Sequence, residues 1–312
     1  MSAAFSSPSC PQCGGSLPRQ ALWRAVTCSY CQAQVTLNTR WVERATFRAA
    51  WARAHPPLQG DDVVRLAGST YRLLAPLGQG ERAEAWLAER QGTGRLRGVI
   101  KRAPAEAADR LAREADTLRE IQRLSGPGSA YFSLRLPQLL AQGATASGTA
   151  LAMRAWPGFW GSLADVLALR PEGLADPRHA VWLWRRVLEL LEYLHGHGWC
   201  HGDLRPEHWL IHPTDHGVHL VGWGRATRHG DPAVDLQQSA WAVRAALAGP
   251  GDSAPALPAR CPPALAALLR RASEDRDRCR HEGAAGLIRQ LSAAALADFG
   301  PPRFVPFDPQ RA

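Results

Sequence analysis

Four of the seven cysteines fall within the first 31 residues, as Cys10-Pro-Gln-Cys13 and Cys28-Ser-Tyr-Cys31, with Gly14 and Gly15 directly after the first pair. Two such knuckles turn the backbone so that all four sulfurs face one ion, and four thiolates about 2.3 Å from a centre make the tetrahedral ligand set of a structural zinc. With every position a cysteine, no coordination site stays open, so the expected role is structure and not catalysis. A segment of about forty residues buries too little to fold alone, and zinc supplies about 10 to 16 kcal/mol of apparent binding energy that doubles as folding energy. Disulfides are the alternative, disfavoured because the opening MSAAFSSPSCPQC lacks an export signal and a cytoplasm is reducing. Cys200, Cys261 and Cys279 have no ligand spacing and read as buried thiols.

A second set of candidate residues lies further on. Gly78-Gln-Gly80 separates two strand-like runs, and glycines there let backbone N–H groups approach a phosphate, although such a pair is common in turns. The runs are Val63-Val64-Arg-Leu66 with Tyr71 to Leu77 before the glycines, and Glu84 to Ala88 after them. Val99-Ile100-Lys101 ends a following strand, and Glu114 sits in the run Arg110 to Leu124, where Leu111, Ala115, Leu118 and Ile121 make one apolar helix face. Trp182 to Leu194 reads as an amphipathic helix whose tryptophans are core, and it leads into His201-Gly202-Asp203. In the linker region, Trp41, Ala45, Phe47, Trp51 and Ala54 follow a loose helical period that ends at His55-Pro56-Pro57.

The first segment resembles a zinc ribbon over residues 8 to 37, with strands around Ala25 to Thr27 and Gln34 to Leu37. Residues 61 to 296 resemble a protein kinase. The order of glycine loop, strand lysine and helix glutamate is similar to the kinase N-lobe, which implies that Gly78 and Gly80 cover nucleotide phosphates, Lys101 meets them and Glu114 orients Lys101. The run His201-Gly-Asp203-Leu-Arg205-Pro-Glu207-His208 resembles the catalytic loop, with Asp203 at the position of the base and His201 as a brace. Met153 to Trp156, after the strand Thr149 to Ala152, matches the hinge where adenine bonds to backbone, although core packing explains those residues equally well. The implied fold is α+β, a bilobal protein kinase-like fold with a β-rich N-lobe and an α-helical C-lobe, preceded by a small zinc ribbon. The expected layout is 1–37 zinc ribbon, 38–60 connector helix and linker, 61–143 N-lobe, 144–299 C-lobe and 300–312 tail.

The chain departs from the family at its metal ligands. His208 stands where the loop carries an Asn ligand, and Gly222, in Val221-Gly222-Trp223-Gly224, stands where an Asp holds Mg²⁺ across the phosphates. Mg²⁺ prefers oxygen, so neutral imidazole is a poor substitute and glycine offers nothing. Asn occurs once in the chain, at Asn38, so composition alone could account for His208; fifteen aspartates leave Gly222 without that excuse. A literal Asp298-Phe299-Gly300 lies 95 residues after Asp203, against 19 for Gly222, and reads as coincidence. Only ten residues separate Gly224 from Asp235 and no Ala-Pro-Glu follows, so the platform for a substrate peptide is absent. The string His229-Gly-Asp231-Pro-Ala-Val-Asp235 is similar to that of small-molecule kinases such as aminoglycoside phosphotransferases, which also need the lost Asp. Gly202 replaces the Arg that anchors an activation-loop phosphate, and Arg205 replaces the loop lysine of active kinases.

Of 37 basic residues one is a lysine, Lys101, so something at that position requires an ammonium rather than a guanidinium. Two explanations stand: contact with nucleotide phosphates, or a tight ion pair with Glu114. The leading expectation is a pseudokinase, a scaffold or allosteric regulator with a protein partner, holding structural zinc and able to take ATP without Mg²⁺ because arginines offset phosphate charge. One rival is an active serine/threonine or small-molecule kinase that recruits Glu207 or Asp215 to the metal. Another is a nucleic-acid-binding zinc-ribbon protein.

Composition bounds these readings. At 312 residues, 33.9 kDa and 46% hydrophobic, the chain can bury a large core, and no apolar run reaches the length of a membrane span. The net charge of +9 is spread along the chain and forms no stripe, which disfavours nucleic acid. A cytoplasmic location without membrane attachment is the expectation. The proline-rich tail with Phe304 and Phe307 either packs back on the domain or stays mobile.

Overall fold

Short strands flanking the second cysteine knuckle need little sequence: Val26–Thr27 (β1) pairs antiparallel with Gln34–Val35 (β2), and Val26 faces Val35 across the ladder. These are coordinates of a computed structural model, which describes residues 10, 13, 15–18, 26–35, 63–80, 82–92, 96–249 and 256–310. The chain divides into two units, Met1–Asp61 and Asp62–Ala312. The connector helix expected over 38–60 lies outside the described residues. Among the described residues of the first unit the buried cluster is Cys10, Leu17, Cys28 and Val35, too little apolar area to hold those residues together without a further cross-link.

In the second unit, alternating apolar residues build a six-stranded antiparallel sheet: Val63–Leu66 (β3), Ser69–Gln79 (β4), Glu84–Arg90 (β5), Arg97–Ala103 (β6), Leu139–Thr145 (β7) and Gly148–Arg154 (β8). The spatial order is β3-β4-β5-β6-β8-β7, and Val64, Leu66, Tyr71, Leu73, Ala88, Ile100, Ala150 and Ala152 fill one face. Ala108–Gln122 (α1) lays Leu111 and Ala115 against β6 to β8 and turns Leu118 and Ile121 into the helical core, the apolar face anticipated from the sequence. The sheet runs on to Arg154. A division at residue 143 therefore cuts β7, because β7 and β8 are one hairpin in which Gly143 pairs with Ala150.

Beyond the sheet the unit is mainly helical: Leu163–Ala168 (α2), Pro177–Gly196 (α3), Pro232–Ala248 (α4), Pro263–Glu274 (α5) and Arg276–Phe299 (α6). The starts of three of these helices follow from side-chain caps. Asp176 accepts from Arg178 N–H ahead of Pro177, Asp231 accepts from Ala233 N–H ahead of Pro232, and Asp275 accepts from Arg278 N–H. The tryptophans of α3 divide as an amphipathic helix requires: Trp184 is fully buried and donates to Ser239, while Trp182 lies at the edge. Asp298 accepts from the N–H groups of Ala264 and Leu265, so Asp298-Phe-Gly is a helix cap for α5 and no metal ligand. The tail packs back: Phe307 is buried and Arg170 donates to the Asp308 carbonyl oxygen. Among the described residues no helix is long and apolar enough to cross a membrane.

Candidate functional site

The cysteine cluster has the dimensions of a metal site. Cys10 Sγ lies 3.8 Å from Cys31 Sγ, Cys13 Sγ lies 3.7 Å from Cys28 Sγ, and all four sulfurs fall within 4.8 Å of one another. Ligands about 2.3 Å from a tetrahedral centre stand about 3.8 Å apart, whereas a disulfide holds its sulfurs about 2.05 Å apart. The spacing fits four thiolates on one zinc and does not fit disulfides. Each knuckle is closed by a backbone bond, Cys10 N–H to Gly15 O at 2.8 Å and Cys28 N–H to Ala33 O at 2.9 Å. A side chain at Gly15 would meet the Tyr30 ring at 2.5 Å, which accounts for glycine there. The N–H groups of Cys31 and Tyr30 point at Cys28 and lower its pKa to about 7, favouring the thiolate that a metal needs.

In the second unit Lys101, Glu114 and Gly224 come together from three elements. Lys101, in the middle of β6, is flanked by Ala85 on β5 and Leu151 on β8, and its Nζ lies 2.6 Å from Glu114 Oε2 on α1. The Glu114 side chain is 4% exposed, so this carboxylate has lost its water and holds the ammonium instead. Of the two explanations for the single lysine, the ion pair is present; it leaves contact with phosphates open. A Cβ on Gly224 would stand 3.5 Å from Glu114 Oε2, so the pair borders the Gly222 to Gly224 turn. Gly80 closes the β4–β5 turn through its N–H to Ala83 O at 2.8 Å, with the Ala83 oxygen 3.3 Å from where a side chain would begin. Met153 packs from β8 against the helical core, and Trp156, just after that strand, is covered by the Arg154 guanidinium at 4.1 Å.

The loop around Asp203 is held from below by Asp235. This carboxylate is fully buried and accepts from His201 N–H at 2.8 Å, Gly202 N–H at 2.7 Å and His195 Nε2 at 2.9 Å. His195, Cys200 and Asp235 bring ligand atoms close together, but the Asp235 oxygens are already taken and burial pushes the Cys200 thiol up to about 11, so this is a hydrogen-bond hub. His201 braces the loop as anticipated: Nε2 donates to Val221 O at 3.0 Å and Nδ1 accepts from Asp203 N–H. Burial lowers the His201 pKa to about 4, which keeps the ring neutral and in that tautomer. Gly202 has φ +76 and the Arg225 carbonyl oxygen 2.7 Å from a Cβ position, so no arginine fits there.

Asp203 itself faces two guanidinium groups, Arg205 Nε at 2.9 Å and Arg225 Nε at 3.8 Å. His208 donates through Nδ1 to the Asp203 carbonyl oxygen at 2.6 Å. Gly222 adopts φ +83, and a Cβ there would lie 2.5 to 2.6 Å from Cδ2, Nε2 and Cε1 of His208. The residues at the expected Mg²⁺ positions therefore do not fit that ion: one has no side chain, and the imidazole of the other covers the place where a side chain would start. Among the described residues no group of three possible ligands includes Asp203, Glu207 or Asp215. Asp215 sits exposed in the turn between Trp209–His212 (β9) and Gly217–Leu220 (β10), where His212 is its basic partner at 3.6 Å. The segment after Gly224 is pinned short: Thr227–Arg228 pairs with Trp199–Cys200, and His229 N–H donates to Gly198 O before α4 begins. Two cavities, of about 310 Å³ beside His195 and Arg280 and about 180 Å³ beside Tyr71 and Leu96, include neither Lys101 nor Asp203.

No family model matches the chain, and no curated protein matches it. Among solved structures it is similar to the crystal structure of PF14_0431, kinase domain, with a TM-score of 0.48 and 15% identity over 62% of this chain and 67% of that one.

Proposed function

We propose that the larger unit is a kinase-like domain without a working metal site, a pseudokinase that binds nucleotide without Mg²⁺ and acts on a protein partner as scaffold or allosteric regulator. The observation that carries this reading is the asymmetry of the site: the Lys101–Glu114 pair is formed at 2.6 Å, while His208 lies over Gly222. Beside Asp203, where a divalent cation would supply positive charge, Arg205 and Arg225 supply it instead. The short segment between Gly224 and α4 leaves no shelf for a substrate peptide, which supports a binding role over phosphotransfer to protein. The smaller unit is structural, folded around zinc by its four cysteines.

Retained Asp203 favours a second reading, a working phosphotransferase of small molecules. That reading needs another carboxylate near the metal, and Glu207 and Asp215 form no ligand group with Asp203.

Thermal unfolding of the zinc-loaded chain with ATP or ADP, with and without Mg²⁺, tests the proposal. At ligand about 100-fold above Kd the stabilisation is about 2.7 kcal/mol, a rise of about 5 to 10 °C for a unit this size. The expected result is a rise that is independent of Mg²⁺ and lost in Lys101→Ala. Mg²⁺-dependent phosphotransfer abolished by Asp203→Ala would overturn it in favour of the second reading.

A further inference from the structure

We infer that His208 is a built-in plug of the metal position, coupled to Gly222, so that the chain excludes a divalent cation by filling its place as well as by lacking ligands. The backbone brings the two residues together. In the β9–β10 hairpin Trp209 pairs with Leu220, and the ladder continues one step further through Val221 N–H to His208 O at 2.9 Å. Residue 208 therefore stands opposite Val221 at the open end of the hairpin, and Gly222 follows one position on, diagonal to it.

The ring is not free to leave. Nδ1 donates to Asp203 O at 2.6 Å, the His201 ring lies 5.9 Å away on another side, and the His208 side chain is 16% exposed. Three of its atoms come within 2.6 Å of a Cβ on residue 222, closer than any real non-bonded carbon contact. The positive φ of Gly222 is a second constraint, but a weaker one for the residue that matters, because Asp tolerates the left-handed region better than most side chains. The barrier to an aspartate at 222 is thus the imidazole. Conversely, an imidazole at 208 is accommodated because 222 is glycine. The two departures form one unit, and neither reverts alone without a clash or a void.

The steric half of this inference stands without the nucleotide reading; the exclusion of metal rests on it. A double-mutant cycle on the full zinc-loaded chain, without nucleotide, tests the first half through Tm for wild type, Gly222→Ala, His208→Ala and the double variant. Backbone strain at φ +83 is common to both Gly222 variants and cancels in the cycle. The expected result is that His208→Ala removes more than half of the Tm loss caused by Gly222→Ala. Equal losses in both backgrounds overturn the inference. Should Gly222→Ala fail to fold, recovery by His208→Ala supports the plug and failure to recover overturns it.

The second half compares wild type with His208→Asn/Gly222→Asp in ATP. Mg²⁺ is expected to leave the wild-type Tm unchanged and to raise that of the double variant. A wild-type Tm that rises with Mg²⁺ overturns the exclusion, as does a double variant that binds ATP yet ignores Mg²⁺. If ATP moves neither protein, the nucleotide reading fails, and the cycle alone decides whether His208 and Gly222 are coupled.

Discussion

The four-cysteine cluster and the loop around Asp203 both draw polar side chains together, and they satisfy them in opposite ways. At the cysteines every position is kept, and the 3.7 and 3.8 Å sulfur separations match a tetrahedron around zinc. At Asp203 the surrounding positions have been filled by protein: two arginines on the carboxylate and an imidazole against a glycine. The difference lies in what each region has besides the ion. Among the described residues the first unit buries four apolar side chains, whereas the second has a core extending from Leu118 to Phe307 and needs no such cross-link.

The largest expected effect is on the first unit. Removing zinc, or replacing Cys10 with Ala, should abolish binding worth about 10 to 16 kcal/mol and unfold the ribbon. Proteolysis should then cut within 1–61 while the helical core of 62–312 keeps its Tm. A parallel fall in both units would break the contrast.

Next comes Asp235→Ala, which strands the buried N–H groups of His201 and Gly202 and frees His195. A loss of about 3 to 5 kcal/mol is expected in denaturant unfolding, with zinc content unchanged. A loss below about 1 kcal/mol would show that the loop is held by something else.

Acid acts on both regions for different reasons. Burial holds the pKa of His179, His201 and His219 at about 4 in the folded chain, against about 6.5 when unfolded. Between those values the unfolded chain binds more protons, so stability rises with pH and falls on acidification from pH 6.5 to 4. Each ring contributes up to about 1.4 kcal/mol per pH unit. Calorimetry over that window should show the decline in the second unit with the ribbon cysteines replaced, since zinc release by protonated thiols affects only the first. A Tm flat from pH 6.5 to 4.5 in that variant would refute it.

The smallest effect is expected at Asp203. Asp203 is paired with Arg205 and Arg225, both more than half exposed, and such pairs are worth about 0 to 1 kcal/mol. Asp203→Asn should therefore leave Tm within a few degrees of wild type. A large loss would mean that the Asp203 carboxylate is part of the core scaffold, as Asp235 is.

Much of this was legible in the sequence, and the parts that were not share a cause. The cysteine spacing and the strand and helix periods are local patterns; the Lys101–Glu114 pairing and the brace at His201 are legible only through the resemblance to the order of kinase motifs. The role of Asp235 was not readable, because its backbone donors lie 33 and 34 residues upstream and a backbone N–H leaves no mark in a sequence. His208 and Gly222 were visible as two separate losses; their contact depends on a hairpin register that sequence alone leaves undetermined. The sheet continues past residue 143 because the β7–β8 hairpin returns, and the packing of Phe307 depends on a hydrophobic pocket formed by distant helices.

The ion pair at Lys101 has a consequence for covalent chemistry. Every other basic side chain except histidine is a guanidinium, so the chain presents one side-chain amine, and that amine is held against a buried carboxylate. Acylating enzymes and amine-reactive cross-linkers thus have a single lysine to address, and modifying it neutralises the cation that Glu114 is paired with. For this protein lysine modification is a single event at the contact between β6 and α1, and its rate measures how often the pair opens.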